Sequence, residues 1–147
     1  MEILLPNYQK CLVNLSSSIL KRFGVNDIHS SLANIDDLLS NYKHIVFVLF
    51  DGMGSYVLDK HLSKNSFLQR NKQDDISSVF PPTTAAATTA FLSCHNPNET
   101  AWLGWHLYFD DLKQDLVLFS GQNYYDETLP ISDYVKAKLA YENIVFT

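Results

Sequence analysis

Apolar residues recur along the chain at spacings that predict both helices and strands. In residues 12–23 and 28–39 they stand three or four positions apart, which is typical of amphipathic helices. Gly24 provides a stop for the first of these helices. We therefore expect two helices before the first strand, each packing its apolar face against a sheet.

An uninterrupted apolar run at residues 45–50 predicts a strand that is covered on both faces. Asp51 follows the run directly, and Gly52 and Gly54 then predict a tight turn. The other predicted elements are helices at residues 55–62, 84–92 and 133–141, strands at residues 76–80 and 144–146, and a β-hairpin that joins residues 105–109 to residues 116–119.

The alternation of helices and strands predicts an α/β fold with three layers. In this fold, helices cover both faces of a mostly parallel sheet, and the small β-hairpin is an insertion. A length of 147 residues suits one α/β domain, residues 1–147. Because the last predicted strand has nothing after it to cover its second face, we expect this domain to be the N-terminal portion of a longer protein.

Composition and charge narrow the class of partner. The net charge is −5 and the 11 Lys and Arg form no basic block, so we expect no nucleic acid partner. Cys11 and Cys94 lie far apart and outside any CxxC pair, so both are expected to be free thiols. The sequence has no signal-peptide pattern and no apolar run of about 20 residues. We therefore expect a cytoplasmic protein without membrane contact.

Asp51 and Thr84 are the residues most suited to chemistry. Asp51 follows a predicted parallel strand, at the sheet edge where open α/β folds bind ligands. Pro81 and Pro82 exclude helix, so Thr83 and Thr84 open the next helix, whose free N–H groups attract anions. Such a pair suits metal and phosphate binding. Position alone leaves another reading open, in which these side chains only cap helices.

Three stretches, VFVLFDGMG, SVFPPTTAAATTAFLS and NPNETAWLGW, carry a resemblance to a known family. In their order and spacing they resemble the N-terminal half of the type I phosphodiesterase/nucleotide pyrophosphatase family, in the alkaline phosphatase superfamily. The resemblance covers residues 45–105. It implies a metal-dependent hydrolase of small phosphoric esters.

The resemblance also implies roles for particular residues. Asp51 matches a ligand of a centre with two divalent metal ions, usually zinc. Thr84 matches the residue that is both a metal ligand and the nucleophile, which forms a phospho-threonine that is then hydrolysed. Thr83, its neighbour, and Trp105, close to the position of a phosphate-binding Asn in nucleotide pyrophosphatases, are further substrate-binding candidates.

The sequence departs from the family pattern at three points. Cys94 and His95 follow the helix where many relatives have Gly. The position of the phosphate-binding Asn of nucleotide pyrophosphatases falls near Trp105, so nucleotide specificity is not implied. The remaining metal ligands of the family come from a later half of the chain, so we expect the ligand set to be incomplete and the 147-residue chain alone to be inactive or nearly so.

Two alternatives from other classes stay open. One is a non-catalytic α/β fragment or interaction domain, in which Asp51 and Thr84 are only caps. The other, a dinucleotide-binding domain, is poorer because DGMGSY lacks the third glycine of GxGxxG.

Overall fold

The structure, a computed structural model, describes residues 4–25, 29–129 and 133. These residues mix helices with a small sheet, which agrees with the predicted combination of α and β elements. Within them, no helix combines the length and the apolar character that crossing a bilayer requires. The elements are α1 Leu12–Arg22, α2 Ala33–Ser40, α3 Ser55–His61, α4 Phe67–Arg70, α5 Thr84–Ser93, α6 Pro97–Thr100, β1 His106–Phe109 and β2 Gln114–Val117.

Four predicted helices are confirmed, as α1, α2, α3 and α5. The second begins later than predicted, at Ala33 rather than at residue 28. The single turns α4 and α6 were not predicted. The helix predicted at residues 133–141 and the strand predicted at residues 144–146 lie outside the described residues, apart from Asp133.

The main core forms where α1 packs on α5. Ser16 Oγ donates a hydrogen bond of 2.6 Å to the carbonyl oxygen of Phe91, near the end of α5. Small side chains on both helices allow this close approach. The buried residues of α1 are therefore polar or small, and the apolar face predicted to pack is only partly covered. The core cluster consists of Cys11, Val13, Val79, Ala90 and Cys94.

Polar contacts hold α2 against α1. Lys21 Nζ lies 2.5 Å from Asp36 Oδ2, which also accepts a hydrogen bond of 2.7 Å from Ser31 Oγ. Arg22 Nε donates to the carbonyl oxygen of Leu39 at 3.0 Å, in the last turn of α2. No residue of α2 is completely buried, so α2 is held against α1 by these polar contacts more than by apolar packing.

The predicted β-hairpin is confirmed. β1 and β2 pair antiparallel, with His106 opposite Val117 and Phe109 opposite Gln114. The second strand begins two residues earlier than predicted, because the turn between the strands is short. Beneath the hairpin lies a second small core of Trp102, Leu116 and Leu118.

The apolar segment of residues 45–50 does not form the predicted strand. It is exposed, with 87% of Val46 accessible, and Phe47 stacks on Phe91 with 4.1 Å between ring centroids. A strand buried on both faces needs strand neighbours, and the described residues provide none. The strand predicted at residues 76–80 does not form either, since this segment makes only one isolated parallel bridge, from Ser77 to Cys11. A three-layer parallel sheet is therefore not shown by this part of the chain.

Candidate functional site

The start of α5 separates the roles of two adjacent threonines. Thr83 is the N-cap, with extended backbone angles, and its Oγ1 accepts a hydrogen bond of 3.3 Å from the backbone N–H of Ala86. Thr84 is the first helical residue. The cap position is thus filled by Thr83, so the hydroxyl of Thr84 does not serve as the cap of α5.

The turn after residues 45–50 places Asp51. Gly52 has φ +68°, a left-handed conformation that favours glycine, and it reverses the chain before α3. The N-cap of α3 is Gly54, and no side chain caps this helix. The capping role that position alone allowed for Asp51 is therefore absent at α3.

The structure brings Asp51 and Thr84 together, although they are 33 residues apart in sequence. Thr84 Oγ1 donates a long hydrogen bond to Asp51 Oδ2 at 3.4 Å, beyond the roughly 2.5–3.0 Å that is usual between two oxygen atoms, so the direct bond is weak. Both residues are exposed to solvent, and both line a cavity of about 550 Å³. That volume lies within the range of small-molecule sites, roughly 300–1,000 Å³.

The cavity also contains charged residues that sequence reasoning missed. Lys72, Asp74 and Asp75 line it together with Asp51. They belong to a polar stretch that resembles an ordinary surface connection, and no motif or spacing signals their approach to Asp51. Only the path of residues 72–78 beside the turn brings them there.

Hydrogen bonds and ion pairs fix these charged groups. Lys72 Nζ lies 2.9 Å from Asp75 Oδ1, and Asp75 also accepts a hydrogen bond from Ser55 Oγ at the start of α3. Asp74 Oδ1 lies 2.6 Å from Lys10 Nζ. The cavity wall is therefore tied both to α3 and to the segment before α1.

These contacts shift the pKa of each group in the direction of its charged form. The hydrogen bond from Ser55 and then the one from Lys72 lower the pKa of Asp75. The hydrogen bond from Lys10 lowers the pKa of Asp74. The hydrogen bond to Asp75 raises the pKa of Lys72. All three groups are consequently charged at neutral pH.

The two substrate-binding candidates lie in different places. Thr83 lines the cavity, and its Oγ1 donates to the carbonyl oxygen of Leu103 at 3.5 Å. Trp105 is 55% exposed, and its ring lies 5.7 Å from that of Phe119. Trp105 is not among the residues that line the cavity, so the structure does not bring it to Asp51 and Thr84.

The departure at Cys94 has a structural explanation. Cys94 follows α5 with φ +56°, the left-handed conformation for which glycine is usual at a helix end. Its buried Sγ lies 3.3 Å from Ser17 Oγ of α1. Cys94 thus adopts the left-handed conformation that glycine usually provides at the end of a helix, and its side chain is also part of the core.

A group of three or more His, Cys, Asp or Glu able to hold a metal ion does not occur among residues 4–25, 29–129 and 133. Asp51 and Thr84 therefore provide two oxygen atoms that could coordinate a metal ion, fewer ligands than such a group contains.

Comparisons of the chain with protein-family models, curated proteins and solved structures find no match. A functional conclusion must come from the cavity itself and from the motifs that line it.

Proposed function

We propose that this chain carries part of the active site of a metal-dependent hydrolase of small phosphoric esters, of the phosphodiesterase/nucleotide pyrophosphatase type. In this proposal Thr84 is the nucleophile and Asp51 is its metal-binding partner. The observation that carries it is the 3.4 Å contact between Thr84 Oγ1 and Asp51 Oδ2 inside a cavity of small-molecule size.

The division of roles at the helix start supports this proposal. Because Thr83 caps α5, the hydroxyl of Thr84 is free to face the cavity with Asp51. The backbone N–H groups of Thr84 and Ala85 have no acceptor among the described residues, as is usual in a first helical turn. An ester phosphate next to Thr84 would therefore find hydrogen-bond donors and the positive end of the helix dipole.

The proposed reaction has two steps that balance. The Thr84 oxygen attacks phosphorus, the bond from phosphorus to the leaving oxygen breaks, and the hydroxyl proton ends on the released alcohol. Water then attacks the phospho-threonine, which restores the hydroxyl and releases the product phosphate. Asp51 accepts the hydrogen bond from Thr84 and so orients the nucleophile before attack.

Of the two metal ions that the resemblance implies, the described residues provide ligands for one. A carboxylate oxygen and a hydroxyl oxygen within hydrogen-bonding distance are donors that one divalent ion can bind together. Asp51 and Thr84 would hold that ion, which would make the hydroxyl a stronger nucleophile. By the same resemblance, the other ligands of a two-metal centre come from later residues.

We also propose that residues 45–50, which form no strand among the described residues, become one when neighbouring strands complete a three-layer, mostly parallel sheet. The support is their exposed apolar side chains, together with the partly covered apolar face of α1. Helices that cover a sheet would bury both surfaces. Asp51 would then lie at the carboxyl edge of the sheet, where α/β folds bind ligands.

One observation favours a second candidate, an interaction domain without catalysis. The exposed apolar residues around Val46 form a surface of the kind that marks protein contacts. In this case Asp51 and Thr84 would contribute nothing beyond local structure, and their replacement would leave partner binding unchanged.

Replacement of Thr84 in the complete enzyme tests the proposed function. With bis(p-nitrophenyl) phosphate and Zn²⁺, we expect Thr84→Val to lower kcat/KM by roughly 10³-fold or more, because the variant lacks the nucleophilic oxygen. Asp51→Ala should lose bound zinc and turnover together. Thr83→Ser is the control, since it keeps the cap and should keep the rate.

Two results would contradict the proposal. Wild-type turnover in Thr84→Val would remove Thr84 from the chemistry. Zinc-dependent turnover by the 147-residue chain alone, lost in Thr84→Ala, would show that the site is already complete in this chain, contrary to the ligand count.

A further inference from the structure

Lys72 is the one cationic side chain that lines the cavity, as far as the described residues extend. Three carboxylates, those of Asp51, Asp74 and Asp75, line the same cavity. Lys10, which does not line the cavity, offsets the charge of Asp74, but the three carboxylates still outnumber the two ammonium groups, so a phosphoester anion that approaches Thr84 meets a net negative charge. Close positive groups are required to offset this repulsion, and Lys72 is available to provide one.

Carboxylates hold Lys72 in position. Its Nζ lies 2.9 Å from Asp75 Oδ1 and 3.7 Å from Asp59 Oδ1, and the side chain is only 22% exposed. Asp75 is fixed in turn by the hydroxyl of Ser55. A lysine ordered in this way has already lost much of the rotamer entropy that binding a ligand would otherwise cost.

The ammonium group retains donors for a ligand. A lysine has three N–H donors, and Asp75 takes one of them at hydrogen-bonding distance. The 3.7 Å separation from Asp59 exceeds a normal hydrogen bond. At least one donor thus remains for an anionic oxygen in the cavity.

We propose that Lys72 binds the phosphoryl oxygens of the ester on which Thr84 acts, with Asp75 as the residue that positions it. This inference rests on the proposed function and adds a phosphate-binding group to it. A purely structural role, in which Lys72 only neutralises Asp59 and Asp75, predicts a change in stability and no change in phosphate affinity.

Titration of the 147-residue chain with inorganic phosphate tests the inference. The amide signals of Thr84 and Ala85 in ¹H–¹⁵N spectra report binding, and the same spectra show that each variant is folded. We expect Lys72→Met to raise the Kd for phosphate by about tenfold, the size typical of a lost charge-assisted hydrogen bond. Lys72→Arg should retain most of the affinity, because it keeps the charge.

Lys113→Met is a matched control. Lys113 also pairs with an aspartate three residues away, with 2.6 Å between its Nζ and Asp110 Oδ1, but it lies in the hairpin turn outside the cavity. This variant makes the same change of charge and should bind phosphate like the wild type. An equal loss of affinity in the two lysine variants would overturn the inference, because it would reflect net charge alone.

The two proposals fail in different ways. Lys72→Met with wild-type affinity, or a wild-type chain whose amides do not respond to phosphate, would overturn the role of Lys72. Thr84→Val should still bind phosphate, since it keeps Lys72 and the backbone donors. Phosphate binding that depends on Lys72 would therefore support this inference even if the hydrolysis assay rejected Thr84 as nucleophile.

Discussion

At the scale of single residues, the candidate site depends on which of two neighbouring threonines caps a helix. Sequence leaves this open, because either hydroxyl at a helix start can be a cap. Backbone geometry decides it in favour of Thr83, whose Oγ1 accepts from Ala86. Thr84 is left to pair with Asp51 across the cavity.

The cap has a measurable consequence for stability. We expect Thr83→Val to lower the free energy of unfolding by about 1 kcal/mol, because the Ala86 N–H loses its acceptor. Thr83→Ser should lose little, since its hydroxyl can accept the same bond. Urea unfolding of the three proteins provides the comparison. Equal stability of the Val and Ser variants would mean that the cap is not formed by Thr83.

At the scale of elements, the contact between α1 and α2 depends on Asp36. Burial raises the pKa of this carboxyl, but hydrogen bonds from Lys21 and Ser31 outweigh that effect and leave the pKa below its ordinary value of 3.8. A carboxyl with a lowered pKa stabilises the folded state above its unfolded-state pKa. That stabilisation is lost as the pH falls through the folded-state pKa.

Asp36→Asn should therefore act in a pH-dependent way. At pH 7 we expect it to cost about 1 kcal/mol, the size of a lost charge-assisted hydrogen bond at a partly exposed site. The difference should begin to shrink as the pH falls below 3.8, where the unfolded chain takes up the proton, and should approach zero once the pH is below the lower folded-state pKa of Asp36. Asp37→Asn, at the exposed next position of α2, is the control. A difference that stays constant between pH 7 and acid would contradict this role of Asp36.

The elements also show how far the sequence predicts the structure. Helical spacing located α1, α2 and α3, the Thr/Ala-rich run after Pro82 located α5, and the turn residues located the hairpin, because these signals act over a few neighbouring residues. The pairing of Asp51 with Thr84 was predicted from the order and spacing of the motifs that carry the family resemblance. The buried serine face of α1 and the approach of Lys72 to the cavity could not be predicted, because both depend on distant segments that meet only in three dimensions.

At the scale of the whole molecule, apolar surfaces remain without a described partner. Residues 45–50 are one of these, apart from Phe47, which stacks on Phe91, and the outer face of α1 is covered only in part. Burial of a Val side chain stabilises a protein by about 1.5–3 kcal/mol, so a sheet that covered this segment would gain substantially. The apolar run and the helices around it are consistent with the proposed parallel sheet.

Val46→Asp tests whether this sheet exists in the chain. Val46 is 87% exposed in the structure, and on that surface an aspartate would cost little. In a strand covered on both faces, the same carboxylate would be buried without a partner, and we expect a loss of at least about 3 kcal/mol in the free energy of unfolding. Val25→Asp is the matched control, because Val25 is 49% exposed and lies outside the proposed strand. Urea unfolding at neutral pH measures both. If Val46→Asp costs no more than Val25→Asp, residues 45–50 stay in solvent and the three-layer parallel sheet is not formed by this chain.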